Sequence, residues 1–296
     1  MNPGGESLVY CYMTHPDAID RNGRTRQANE MTMQLSRIAI VLLVFFFGYG
    51  DASAATFAGV AVDPGGTVRV NVPLSPLQQR YVAEGGNAVP PHAVAVLAVP
   101  AGFDPQKTWP VLVVFSTSDE RIQNRDDLVN IYRGLALPEG WVLIAGDGPQ
   151  PAQHDTSGWR IGMTMAALDA MHRSFPGSTK WPIACAGFSG GAKRTGLLSP
   201  LLSVAGYQIA GLYVTGLNDD TLTQGYQKYK PGSGFLNTKI FFSSGTNDRT
   251  APLMRQNIVK GSMQKTGFTN IRHETFAGPH AVKRTHVKEA LRWFRQ

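Results

Sequence analysis

From residue 92 onward the chain is punctuated by short apolar runs: "HAVAVLAVP", "PVLVVFS", "WVLIAGDG", "PIACAGF", "IAGLYVTG", "KIFFSSG" and "IRHETFAG". Most are nearly continuous in hydrophobicity rather than alternating, which is the pattern of strands covered on both faces. Between them lie stretches with helical spacing. "DERIQNRDDLVNIYRGLAL" places Ile122, Leu128, Ile131 and Leu135 on one helix face. "TSGWRIGMTMAALDAMHRSFP" puts Met163, Ala167, Leu168 and Met171 on one stripe. Further helices are expected after Ser189, near Pro252 and over the closing "AVKRTHVKEALRWFRQ". Strands alternating with helices predict an α/β fold, a mostly parallel central sheet with helices on both faces. The earlier "GVAVDPGGTVRVNVPL" reads as a hairpin across a Pro-Gly-Gly turn, an antiparallel N-terminal edge. No repeat or second domain emerges, and no long insertion follows "IAGLYVTG", so no large lid is expected.

The first 54 residues break this rhythm. Residues 1–30 are polar and aperiodic, the pattern of a disordered extension or of sequence upstream of the true start at Met31 or Met33. Over residues 31–54, Arg37 supplies a positive flank, Ile38 to Phe47 an apolar run, and Ala52-Ser53-Ala54 a small-residue cleavage site. The apolar run is shorter than the roughly 20 residues that span a bilayer, so a secretory signal peptide is expected. Export to the periplasm or medium follows, without stable membrane insertion after cleavage. Residues 55–296 are then a single domain.

Composition adds little that conflicts. The 296 residues are 43% hydrophobic and 17% charged, enough for a sizeable core. The formal charge is +7; residues 1–54 hold four Arg and five acids, so the remainder carries +8 by the same count. The basic residues are scattered without a nucleic-acid motif, which argues for a solvated basic surface and against a nucleic-acid partner. Cys185 is the single cysteine after residue 54 and sits in an apolar run, so a core role is expected and an internal disulfide is not. Zinc-type cysteine spacings are absent, and no metal or other cofactor is expected.

In open parallel sheets ligands bind at the carboxyl ends of the strands, so the loops after the apolar runs hold the candidate chemistry. After "PIACA" comes Gly187-Phe188-Ser189-Gly190-Gly191, a G-x-S-x-G pattern between an expected strand and an expected helix. The glycines suit a sharp turn, and such a turn presents a serine with its hydroxyl exposed. The Gly190 amide, at the helix start, is placed to bind a developing oxyanion. After "KIFFSSG" comes Asp248 in "TNDRTAP", which also reads as a helix-capping acid. After "IRHETF" comes His280 in "AGPHAV", which also reads as a surface histidine at a helix start. Serine, aspartate and histidine at three sheet-end positions form the set in which an imidazole takes the serine proton and a carboxylate orients the imidazole.

That chain order is the α/β-hydrolase arrangement. Residues 60–296 resemble this superfamily, with "GFSGG", "SSGTNDRTAP" and "AGPHAV" similar to its nucleophile, acid and histidine motifs. The signal-like leader, the lid-poor pattern and "FDPQKTWPVLVVFS" look like the secreted esterases grouped with feruloyl esterases and polyhydroxybutyrate depolymerases. The resemblance implies Ser189 as nucleophile, Asp248 as orienting acid and His280 as general base and then acid, acting on a small-molecule or polymeric ester. Asp219 and Asp220 are rivals for the acid, because some members of the fold take it from the preceding strand end. His273 lies within a strand and His172 and His286 in expected helices, so none of the three rivals His280.

The chain departs from the resemblance at the third core strand. Relatives carry His-Gly there, where a backbone amide completes the oxyanion hole; this chain has "VVFSTSDE". Thr117 is the expected second donor beside Gly190, with Ser118 as the alternative. The departure leaves open an unusual active esterase or a weak enzyme, and it is the argument for a non-catalytic binding protein on the same fold. A serine peptidase or amidase is a further alternative, because the same triad cleaves amides. In the loop "GDGPQPAQHDTSGW", His154, Asp155 and Trp159 are candidate substrate contacts; capping of the next helix by Asp155 or Ser157 is the competing role. Substrate identity and oligomeric state are not encoded in any motif.

Overall fold

Successive residues of each central strand point to opposite sides of one sheet, as the two-residue period of extended chain requires. Val111, Val113 and Phe115 enter one apolar layer with Val142, Ile144, Ile183 and Cys185. Leu112 and Val114, between them in sequence, enter a second with Leu143, Ala145, Ala184 and Ala186. Both layers are buried, so both side-chain sets must be apolar and the strands read as continuous hydrophobic runs. The computed structural model describes residues 55–117 and 121–296. The extension expected over 1–30, the signal segment over 31–54, Cys11 and Ser118 lie outside these residues.

Eight strands build the sheet: β3 (Thr67–Val72), β4 (Ala93–Ala98), β5 (Val111–Phe115), β6 (Val142–Asp147), β7 (Ile183–Phe188), β8 (Ile209–Thr215), β9 (Lys239–Gly245) and β10 (Ile271–Phe276). Their spatial order is β10-β9-β8-β7-β5-β6-β4-β3. The six from β10 to β6 run parallel, while β4 joins β6 antiparallel and β3 joins β4 antiparallel. Six carboxyl ends therefore open on one side of the molecule.

The first layer is covered by α1 (Pro76–Val82), α4 (Ser157–Ser174), α5 (Gly190–Val204), α6 (Thr221–Tyr229) and α7 (Leu253–Thr266), which contribute Val82, Met163, Leu198, Leu222 and Met263 among others. The predicted stripe of α4 (Met163, Ala167, Leu168 and Met171) is fully buried. The second layer is covered by α8 (Arg284–Phe294) and by the segment from α2 (Asn124–Asp127) to α3 (Arg133–Ala136). None of the helices among the described residues is long and apolar enough to cross a membrane.

Two local expectations are corrected. The hairpin across Pro64-Gly65-Gly66 does not form. β2 (Val60–Ala61) pairs instead with β1 (Thr56–Phe57), and β3 pairs with β4. The antiparallel edge stands, but β3 finds its partner in a longer strand that offers six residues of ladder. The helix expected through Ile122, Leu128, Ile131 and Leu135 is interrupted by a π turn at Leu128–Tyr132, closed by the Arg133 amide on the Leu128 carbonyl. The extra residue rotates the buried face, so Leu128, Tyr132 and Leu135 fill the core while Ile131 is only partly covered. Ile122 lies before the helix.

Candidate active site

Ser189 sits where β7 turns into α5, with φ 56° and ψ −120°. That ψ lies outside the left-handed helical well that φ > 0 residues ordinarily occupy, so the backbone is strained. The amide of Ser189 donates to the Thr215 carbonyl at 2.9 Å, tying the turn to the end of β8. The neighbouring glycines are needed by close backbone approach. A Cβ on Gly187 would stand 2.2 Å from the Gly191 carbonyl carbon, and one on Gly191 2.2 Å from the Phe115 carbonyl oxygen. The first turn of α5 is thereby pressed onto the end of β5. A serine at a helix N-cap commonly accepts a hydrogen bond from the first-turn amides; Ser189 does not. Its side chain remains half-buried at the carboxyl end of the sheet.

Asp248 follows β9 and is nearly sealed, its side chain 1% exposed. Oδ1 accepts the amides of Thr250 at 2.9 Å and Ala251 at 2.7 Å, which fixes the carboxylate and helps start α7. Oδ2 lies 2.7 Å from Nδ1 of His280, in the loop after β10. The sequence's two readings of Asp248, turn acid and histidine partner, thus belong to different oxygens. Gly216 makes room for the imidazole, since a Cβ there would meet His280 Cε1 at 2.6 Å. The Phe188 ring packs against it with centroids 4.6 Å apart. His280 Nε2 is buried without a hydrogen-bond partner. The ring is flanked by Phe188, the residue before Ser189, and by Gly216, the residue after the Thr215 carbonyl that Ser189 bonds. Serine-to-imidazole bonds are often open in ligand-free sites and close with substrate.

The rival acids are engaged elsewhere. Asp220 caps α6 through the Thr223 amide, and Asp219 accepts from Gln224. The other expected histidines are held in the fold. His273 Nε2 lies 2.9 Å from Ser244 Oγ, and burial, aided by Lys260, pushes its pKa down to about 4. His286 Nδ1 lies 2.9 Å from Ser243 Oγ and burial lowers its pKa; burial lowers that of His172 as well. Among the described residues no group of His, Cys, Asp and Glu is arranged to hold a metal ion.

The loop after β6 takes a different shape from the one its composition suggests. Thr156 caps α4, accepting the Trp159 amide at 3.0 Å, rather than Asp155 or Ser157. His154 is exposed, its backbone clasped on both sides by the Asn87 amide. Trp159 is buried beside Gly148 and lines a cavity of ≈ 250 Å³ with Asn87, Pro90 and Pro149. Asp155 turns inward. Its carboxylate is 7% exposed and accepts from Arg160 Nε at 2.7 Å, Arg160 Nη2 at 2.9 Å and Arg194 Nη2 at 2.7 Å. Arg194 Nη1 also donates to the Ser116 and Thr117 carbonyls, at 2.9 and 2.7 Å. Arg160 further reaches the Ile122 carbonyl and Ser116 Oγ. Asp147 completes the cluster, accepting the amides of Asn124 and Arg125; burial raises its pKa despite Arg160. Sequence reasoning passed over Arg160 and Arg194, whose one local signal is an arginine within an otherwise apolar or small-residue helical stretch.

No family model and no curated protein sequence matches the chain. Solved structures do. A ferulic acid esterase aligns with a TM-score of 0.53 at 14% identity, over 79% of this chain and 98% of its own. Dipeptidyl peptidase 4 of Porphyromonas gingivalis gives 0.53 at 14%, over 80% of this chain and 36% of its own. A dipeptidyl aminopeptidase IV of Bacteroides ovatus gives 0.52 at 13%, over 78% and 35%. The chain spans about a third of the length of these two peptidases. Identities this low speak to fold alone. Together with the strand order and the strained strand-to-helix serine, they establish that the chain has the α/β-hydrolase fold.

Proposed function

We propose that the protein is a serine hydrolase that cleaves carboxylic esters through an acyl-enzyme, with Ser189, His280 and Asp248 as its triad. The observation that carries the reading is the His280–Asp248 contact at 2.7 Å, which leaves the opposite imidazole nitrogen unpartnered in a ring that packs against Phe188, the neighbour of the strained, uncapped Ser189. In this reading Ser189 Oγ attacks the substrate carbonyl as its proton passes to His280 Nε2. Asp248 holds the ring and stabilises the imidazolium. The negative oxygen of the tetrahedral intermediate is bound by the Gly190 amide and the Thr117 backbone. His280 then protonates the departing alkoxide, and water, deprotonated by the same imidazole, releases the acid and restores Ser189. An ester is favoured over a peptide on the resemblance of "FDPQKTWPVLVVFS" and the lid-poor pattern to secreted esterases. Export through residues 31–54 belongs to the same proposal; N-terminal sequencing of the exported protein should begin at Ala55.

The test is labelling by a fluorophosphonate together with turnover of p-nitrophenyl butyrate. Wild type should label once and hydrolyse, and Ser189→Ala should lose labelling and at least about 10⁴-fold in kcat. His280→Ala should behave alike. A folded wild type that neither labels nor exceeds Ser189→Ala would replace this reading with a binding protein. Cleavage of p-nitroanilides faster than of esters would replace it with an amidase.

A further inference from the structure

We infer that Arg194 is a positioning residue for the oxyanion site, locked in place by Asp155 and Arg160, an inference that rests on the ester-cleavage reading. Arg194 lies on α5 one turn beyond Ser189 and is 5% exposed. One of its nitrogens grips two successive carbonyls, those of Ser116 and Thr117, directly after β5. In a trans peptide the C=O and the following N–H point in opposite directions. Holding the Ser116 carbonyl therefore sets the plane that carries the Thr117 amide and turns that amide away from Arg194. Ser116 is further fixed by its own amide, which donates to Asn124 Oδ1 at 2.9 Å. Ser116 is thus held at both of its backbone groups, in the two successive peptides that lead to the Thr117 amide.

The other donor, the Gly190 amide, belongs to the first turn of α5, which the Gly191–Phe115 approach presses onto the same strand end. One helix consequently sets both donors, Gly190 through its own backbone and Thr117 through Arg194. Their mutual spacing then survives small shifts of the sheet. The geometry also separates positioning from charge. Asp155 is shared between Arg194 and Arg160, and Asp147 lies 3.6 Å from Arg160, so two guanidinium groups face two carboxylates. Such a neutral cluster adds little net field at the oxyanion. A buried ion-pair cluster is also weak evidence for stability, since desolvation offsets much of its attraction. What an arginine supplies here is a planar fork that meets two carbonyls and a carboxylate together, which a lysine ammonium does not reproduce.

The experiment compares wild type, Arg194→Lys and the isosteric Asp155→Asn on p-nitrophenyl butyrate. Folding is followed by circular dichroism, and inhibition by an alkyl trifluoromethyl ketone is measured in parallel. Arg194→Lys should keep the fold and KM within about twofold while kcat drops about 100-fold, the scale of a reacting group misplaced by about 1 Å. Affinity for the ketone, whose serine adduct places an oxyanion at the same spot, should fall by a similar factor. Asp155→Asn, which frees the guanidinium without removing it, should fall in the same direction by about tenfold, a smaller part of that misplacement. Folded variants with wild-type kcat, or with a change in KM alone, would overturn the inference. The same holds if Arg194→Lys does not fold and a folded Asp155→Asn binds the ketone as wild type does. A wild type no faster than Ser189→Ala would instead sink the ester-cleavage reading, and this inference with it.

Discussion

Ser189, Ala58 and Lys230 are the non-glycine residues with positive φ among those described, and they differ in kind. Lys230 ends α6 in the ordinary left-handed well at φ 50°, ψ 53°. Ser189, at ψ −120°, has no such well to rest in. Strain of this sort costs about 1–3 kcal/mol and persists only where the surroundings enforce it. Here they do, through the Thr215 carbonyl on one side and the helix pressed against Phe115 on the other. Glycine reaches this conformation freely and alanine does not. Both Ser189→Gly and Ser189→Ala should be inactive, yet the glycine variant should be the more stable by about 1–2 kcal/mol, part of the strain released. Urea unfolding of the two side by side measures this. Equal stabilities would mean that the turn is held without strain.

The interrupted helix after β5 packs Leu128, Tyr132 and Leu135 into the core, and one of its carboxylates is poorly placed. Asp127 has its pKa raised to about 6, first by burial and then by Asp126. Its ordinary value is 3.8, so between pH 4 and 6 the folded chain holds a proton that the unfolded chain has lost. Stability from this group therefore declines as pH rises through that window and stays reduced above it. Asp127→Asn should raise the unfolding midpoint at pH 8 and leave it unchanged near pH 3.5. A variant less stable than wild type at pH 8 would show that the charge has a partner in the fold.

The same segment marks where sequence reading stops. The three sheet-end loops are legible because which residue follows which strand is a matter of order alone, and order places Ser189, Asp248 and His280 after β7, β9 and β10. The π turn is not legible, because the residues at Leu128–Tyr132 suit a regular helix and the extra residue is decided by how Tyr132 reaches the core. The partner of β3 is likewise a competition between a two-residue and a six-residue ladder, which local turn chemistry at Pro64 does not see. Asp155 reads as a loop acid because its partners stand five and 39 residues away, on two different helices. The strand-to-helix serine was visible as a motif; the arginine clamp behind it is visible only in three dimensions.

At the scale of the whole molecule, the proposed catalytic groups sit in unequal surroundings. β7, which delivers Ser189, is flanked by β5 and β8 and buried along nearly its full length. His280 hangs from β10, the last strand of the sheet, bonded on one side only to β9 and half-exposed throughout. Peripheral elements of this kind open in sub-global fluctuations well below the energy of complete unfolding. On the proposed mechanism, opening of β10 would carry His280 out of reach while Ser189 stays where it is, which would make the margin of the sheet a fuse for the chemistry at its centre. In rising urea, ester turnover should fail before far-ultraviolet circular dichroism reports any change. Coincident curves would mean instead that the edge melts with the core. If the fuse exists, cross-linking β10 to β9 would prolong working life under stress while barely moving the global midpoint.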